Sequence, residues 1–506
     1  MTTPASRRYA LWSAALVTGF ALFRMAMMGL TGLGDSESYY WAWSRKLALS
    51  YYDHPPMVAW LISLSTSIGG DSAFMTRLPS LVLFIGICWL MYRLVMDIFG
   101  DARIAFYSLL VFNLIPMFGI GALQMVPDIP AAFLYILFVI VARRLLVDNG
   151  PAWLWYALGV ILGAGLVSKY FAILLLPSMM VLVAAVPAYR HWYLRPQPYI
   201  MGLIALAVFS PVICWNYANH WPSFKFHLVE RHHWAGFSWN NFGRLVGGQG
   251  LYVTPLYFIG LLWGCVKGVK RAIGGDARYA TLAAFSIPTL LFFYAVTVWT
   301  DEAEPHWPAF GYLTAIVMTV SLGFEGMEKW TGRARAWAKG WFWAATAMAC
   351  AAFAAFYIHV FHPILPIKAK YDITNEILGW DKVGPEISAL YEKIKREEGG
   401  EPFALAHHWV LCSQMMFATK NKIPVACINE RTDQFDFWDD EKTLAGRTAI
   451  IVTDLRFEEP PEELYRLTDV KKVKQIPIER GGEVTRLFTI WTGKDYNGSK
   501  KWAPLK

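Results

Sequence analysis

The sequence predicts a helical integral membrane protein of about eleven to thirteen helices, closed by a soluble α/β domain. Three observations carry that fold class. Of 506 residues, 56% are hydrophobic and 17% charged, whereas soluble domains carry about 25% charged residues. Apolar stretches long enough to cross a bilayer, about 20 residues each, recur as far as Phe361. After about Pro363 the composition turns polar.

The first apolar stretch, about Tyr9 to Leu30, exceeds the short apolar region of a secretory signal and precedes no A-x-A-like cleavage site, so it reads as a span. Further spans are expected to begin near Leu78, Ile104, Ile129, Trp153, Phe171, Tyr199, Leu251, Thr281, Trp307 and Trp341. The apolar run from Trp153 to Val186 is too long for one helix and is expected to break around Ser168-Lys169-Tyr170. Met57 to Ile68 is apolar but short, which suits an interfacial or re-entrant helix; Pro55-Pro56 fits its first turn, where a missing N–H is harmless. The expected division is a membrane domain over residues 1–362 and a soluble α/β domain over 363–506. The latter has helical patterning in Gly384 to Glu397 and strand-like runs at Thr448 to Val452 and Phe488 to Trp491. Cys412 and Cys427 both fall in this second domain, where a disulfide is permitted.

Loop charge sets the orientation. With the N-terminus cytoplasmic, the inner loops carry Arg7, Arg8, Arg103, Arg143, Arg144, Arg190, Arg195, Lys267, Lys270, Arg271, Arg278, Lys329, Arg333, Arg335 and Lys339. The outer connections hold fewer cations, which is the positive-inside asymmetry. An odd number of spans then puts the C-terminal domain outside, with the first loop. The net charge of +8 is mostly this bias and gives no reason to invoke nucleic acid.

The unusual ionisable residues fall on the outer side. The first outer loop carries Asp35 and Glu37 among Tyr39, Tyr40 and Trp41, then Tyr52-Asp53-His54-Pro55-Pro56. Asp128 opens the fourth span and Lys169 sits at the expected helix break beside Tyr170. Arg231, His232 and His233 lie in a Trp-rich loop, and Asp301, Glu302, Glu304 and His306 in the next. Desolvating a carboxylate is costly, so ionisable groups beside hydrocarbon tend to have a task. Acids, cations and aromatics at an outer leaflet suit a lipid-linked phosphate substrate. Lysine, arginine and histidine hold phosphate, aromatic rings suit sugars and the interface, and a carboxylate can take the proton of an attacking hydroxyl. A flippase or other transporter would place charge near the bilayer midplane, which here holds little beyond Arg24. A non-catalytic assembly subunit is the third reading, and it would leave Asp35 dispensable. Glu37 also has a simpler reading, as a first-turn acid of a helix beginning near Tyr39, and Lys169 as a snorkelling helix-end lysine.

The order Asp35-x-Glu37 with Tyr39-Tyr40, then Tyr52-Asp53-His54-Pro55-Pro56, resembles the first outer loop of GT-C glycosyltransferases. The similar group is that of the protein O-mannosyltransferases and the aminoarabinose lipid A transferases. Val126-Pro127-Asp128, Ser168-Lys169-Tyr170, Pro211 to Asn216 and Pro305-His306-Trp307-Pro308 extend the match over about Met1 to Phe361. The resemblance implies a GT-C transmembrane bundle in a bacterial inner membrane, with its active site and soluble domain periplasmic. It implies a transferase, inverting at the anomeric carbon, that uses a polyprenyl-phosphate sugar donor. The acceptor would be a glycolipid such as lipid A or lipopolysaccharide core, with protein hydroxyls the alternative. Asp35, with Glu37, takes the catalytic position. Asp53, His54, Asp128, Lys169, Tyr170, Arg231, His232 and His306 are expected to bind substrate, and Asp53 and Asp128 match acids that hold a divalent metal in some relatives. His54 departs from the aminoarabinose transferases, which carry lysine there, and that points to another sugar.

Overall fold

The computed structural model describes residues 4–230, 236–300, 303–438 and 441–501. The chain divides into two compact units. One comprises Met1–Ala26, His54–Val58 and Pro79–Ala354; the other comprises Met27–Asp53, Ala59–Leu78 and Ala355–Lys506.

The first unit is a helical bundle, and the protein is a multi-span membrane protein. Among the described residues seven helices are long and apolar enough to cross a membrane, and three bent pairs raise the number to ten. The bends follow from proline and its neighbour, which cannot continue a helical ladder. They lie between Ala102–Leu114 and Pro116–Leu123 (76°), Tyr170–Ala185 and Pro187–Leu194 (120°), and Trp239–Val253 and Pro255–Ile273 (105°). The remaining expected span, the one from Trp153, is Leu154–Ser168, a helix of 15 residues that is short for a bilayer. It ends where the sequence places the break. Lys169 is extended, a 3-10 turn Tyr170–Leu174 follows, and Leu175–Ala185 resumes the helix.

Small residues let these helices approach closely. A Cβ on Gly159 would lie 2.6 Å from the Met201 carbonyl oxygen, and one on Gly163 would lie 2.6 Å from Val208 Cβ, so Leu154–Ser168 packs directly on Gln197–Ala218. Arg24, the exceptional intramembrane cation, is 2% exposed. Its guanidinium donates from Nη1 to Asn113 Oδ1 at 3.2 Å and from Nη2 to the Gly119 carbonyl at 3.4 Å, and lies 4.2 Å from the Phe84 ring centroid, so it is held inside the bundle.

The second unit is built on a mixed sheet. Its strands are β1 (Phe403–Ala406), β2 (Val425–Cys427), β3 (Ala449–Thr453), β4 (Thr468–Arg480) and β5 (Glu483–Lys494), in the order β2-β1-β3-β5-β4. β1 runs parallel to β2 and β3, whereas β5 is antiparallel to β3 and β4. All five residues of β3 are buried, as expected for a strand covered on both faces. The patterned segments appear as helix Trp380–Glu398, β3 and the centre of β5. The first-loop helix runs Asp35–Arg45, beginning four residues before the Tyr39 start expected from sequence. It packs on helix Trp409–Ala418 through Tyr39 on Trp409 (centroids 4.8 Å), Trp41 on Phe417 (5.0 Å) and a Ser38–Ser413 hydroxyl pair at 3.0 Å. Cys412 and Cys427 are both buried free thiols, so the disulfide that the sequence permits is not formed. Cys412 Sγ lies in contact with Cys427 and also faces the Ala406 and Ala426 carbonyls at 3.6 and 3.7 Å.

Candidate active site

The predicted site residues fall into two groups, one in each unit. Arg231 and His232, with His233, Asp301 and Glu302, lie outside the described residues.

In the bundle, Asp128 starts helix Asp128–Leu146 and Lys169 caps the C-terminus of the antiparallel neighbour Leu154–Ser168. The two meet at the same end, with Lys169 Nζ donating to Asp128 Oδ1 at 2.6 Å. Ser168 Oγ donates to the Pro127 carbonyl at 2.8 Å and ties the two helix ends together. His306 is an electrostatic neighbour of Asp128, and its loop is held by Gln249 Nε2 donating to the Pro305 carbonyl at 2.8 Å. Lys169 Nζ also lies 5.4 Å from the Phe171 ring centroid, a cation–π distance. His54 and Tyr170 both contact His227, with centroids at 5.9 and 4.9 Å. His227 lies on a π-helical turn, Phe226–Glu230, a distortion common at functional sites. The ion pairs Arg143–Asp148 and Arg271–Glu325 mark the opposite helix ends. Within the bundle the predicted outer residues and inner cations therefore separate.

In the second unit, Asp35 occupies the first turn of its helix with a side chain 8% exposed. Its Oδ2 accepts from Arg456 Nη1 at 2.6 Å and its Oδ1 from Gln414 Nε2 at 3.3 Å. Its backbone N–H donates to Glu376 Oε2 at 3.3 Å. Burial, and then the charge of Asp35, push the Glu376 carboxyl up to about 7. Arg456 is itself held by Asp454 at 3.4 Å, and Asp454 is gripped by Arg486 at 2.8 Å.

Glu37 takes a different place from the one expected. It is fully buried and accepts from Arg77 Nη2 at 2.6 Å, from Arg77 Nε at 2.9 Å and from the Gly34 N–H at 3.0 Å. With these donors and no exposure, Glu37 braces the helix start and is not placed to meet a substrate. This geometry agrees with the simpler of its two sequence readings, the first-turn acid of a helix.

Asp53 accepts from Tyr39 Oη at 2.8 Å and Arg431 Nη2 at 2.7 Å. A divalent ion needs several hard donors, and among the described residues no group of three or more His, Cys, Asp or Glu could hold one. The charge partners of Asp53 and Asp128 are cations. The described donors do not fit a metal, and no chemical step is derived through one.

Sequence reasoning missed Arg77, Glu376, Gln414, Arg431 and Arg456. Their signal is topological. Arg431 and Arg456 follow the carboxyl ends of β2 and β3, and Gln414 lies on the helix after β1, the side where α/β sheets bind ligands. That edge is unreadable until the strand order is known.

The fold is ArnT-like. The crystal structure of ArnT from Cupriavidus metallidurans bound to undecaprenyl phosphate matches with a TM-score of 0.62 at 13% identity, over 94% of this chain and 97% of that one. Residues 53–215 match the family model for dolichyl-phosphate-mannose-protein mannosyltransferase. The lipid A galacturonosyltransferase RgtD of Rhizobium johnstonii is 24% identical over 315 residues, 61% of this chain and 64% of the relative. An undecaprenyl phosphate-alpha-4-amino-4-deoxy-L-arabinose arabinosyl transferase of Pseudomonas fluorescens is 27% identical over 281 residues, 51% of this chain and 46% of the relative. The chain thus spans 64% and 46% of the lengths of these two curated relatives.

Proposed function

We propose that the protein is a membrane glycosyltransferase that moves a sugar from a polyprenyl-phosphate donor to a lipid acceptor, lipid A or lipopolysaccharide core. It works at the periplasmic face of the bacterial inner membrane. The observation that carries this reading is Asp35, an oriented carboxylate in the first turn of an aromatic-rich loop helix, in a chain that aligns with a lipid A glycosyltransferase over 315 residues. Asp35 takes the proton of the acceptor hydroxyl. The hydroxyl oxygen bonds to the anomeric carbon as the bond from that carbon to the phosphate oxygen breaks, and the polyprenyl phosphate leaves with the electron pair. Attack opposite the leaving group inverts the centre. Lys169 is assigned to the donor phosphate, with Asp128 fixing its ammonium. His54 and Tyr170 are assigned to the sugar-phosphate, beside His227. A phosphate leaving group needs little more than one base and charge neutralisation.

Mass spectrometry of envelope lipids with and without the protein tests this reading. Loss of one sugar mass from a lipid A species, restored by the wild type and not by Asp35→Asn, is the expected result. An unchanged lipid profile sinks it. A protein hydroxyl acceptor is the second reading, favoured by the mannosyltransferase family match; it predicts the missing sugar on a protein.

A further inference from the structure

A general base works through the direction of its lone pairs as well as its proton affinity. The Asp35 carboxylate is constrained at both oxygens and along its backbone. Arg456 Nη1 donates to Oδ2 at 2.6 Å, Gln414 Nε2 to Oδ1 at 3.3 Å, and Ser38 Oγ to the Asp35 carbonyl at 2.8 Å. Gln414 is aimed by a second bond from the same nitrogen to the Leu33 carbonyl at 2.9 Å.

Arg456 is the end of a relay. Arg486 Nη1 donates to the carbonyls of Asn375, Glu376 and Leu378 at 3.1 to 3.2 Å. Its Nε donates to Asp454 Oδ2 at 2.9 Å, and Asp454 in turn contacts Arg456. Asp454 has no exposed side-chain surface. A merely solvent-facing ion pair would not need two buried charged residues behind it, since such pairs contribute little.

We propose that Arg456 and Gln414 are positioning residues for Asp35, so that the domain after Pro363 completes the catalytic centre. The inference rests on the glycosyltransferase reading above. A carboxylate offers about four lone-pair sites. Arg456 and Gln414 take one on each oxygen, and their fixed directions aim a remaining site at the acceptor hydroxyl.

The test is steady-state kinetics on purified full-length protein, from pH 4 to 9, with a polyprenyl-phosphate sugar and a lipid A acceptor. Arg456→Met is expected to lower kcat about 100-fold, the cost of a misplaced catalytic group, with donor KM unchanged. Acceptor KM should change less than kcat, because the carboxylate is misdirected and not removed. Arg456→Lys, which keeps a donor toward Asp35 Oδ2, should recover part of kcat.

A structural contact alone would lower the melting temperature and leave kcat per folded molecule unchanged. Wild-type kcat per folded molecule in Arg456→Met overturns the proposal. If that variant does not fold, Arg456→Lys and Gln414→Ala decide, and unchanged kcat in both is fatal. A wild type that transfers no sugar from any polyprenyl-phosphate donor refutes the glycosyltransferase reading instead.

Discussion

Removing Arg77 should loosen the helix that presents Asp35. The Arg77 side chain is 1% exposed and that of Glu37 is not exposed at all. Besides its bonds to Glu37, Arg77 donates to Thr31 Oγ1 at 2.7 Å, the Thr31 carbonyl at 3.1 Å and the Gly32 carbonyl at 2.6 Å. Breaking a buried pair from one side costs about 3–5 kcal/mol because the other charge stays buried alone. At about 2–4 °C per kcal/mol for a domain of 150–250 residues, Arg77→Met should lower the melting temperature of the second unit by roughly 6–20 °C. Intrinsic tryptophan fluorescence in detergent can follow the melt, because Trp41 and Trp43 are fully buried there. Glu37→Gln keeps an acceptor for the Gly34 N–H, so the double variant Glu37→Gln, Arg77→Met should recover about half the loss, a coupling of 1 kcal/mol or more. A melting temperature within about 2 °C of wild type for Arg77→Met, or simple additivity in the double variant, refutes the reasoning.

Lys169→Ala should raise donor KM at least tenfold, about 1.4 kcal/mol, and leave acceptor KM alone; equal donor KM removes Lys169 from the phosphate. Asp128→Asn should act in the same direction but less, since it frees the ammonium without deleting it. Glu376 gives a pH prediction. Burial, and then the charge of Asp35, raise its carboxyl from the usual 4.5 to about 7, so the stability it contributes is full below pH 4.5 and is lost as pH rises through 7. The wild type should therefore melt at a lower temperature at pH 8.5 than at pH 5.5, and Glu376→Gln should flatten that difference; parallel curves would contradict it. Chelation with EDTA should leave turnover unchanged, because cations already neutralise Asp53 and Asp128. Loss of activity reversed by metal add-back would reinstate a divalent ion.

Much of the architecture was legible because the bilayer imposes a length and a composition on each span. The break at Lys169 was readable because the apolar run from Trp153 is longer than one helix needs. Leu154–Ser168 is only 15 residues long because the apolar run is interrupted at Lys169. Asp35, Asp128 and Lys169 stood out as charges beside hydrocarbon. Glu37 stood out equally, yet its partner Arg77 lies forty residues away within an apolar stretch, and no periodicity links them. Arg456 and Gln414 were invisible for the same reason, since their bonds to Asp35 span 421 and 379 residues of chain.

The chain visits its second unit three times, at Met27–Asp53, Ala59–Leu78 and Ala355–Lys506. Asp35 is thus made 379 residues before Gln414 and 421 before Arg456. At about 5–20 residues per second on the ribosome, the nascent loop waits on the order of half a minute or more for them. A polypeptide that stops before the third visit would hold Asp35 without either of the side chains that fix its two carboxylate oxygens.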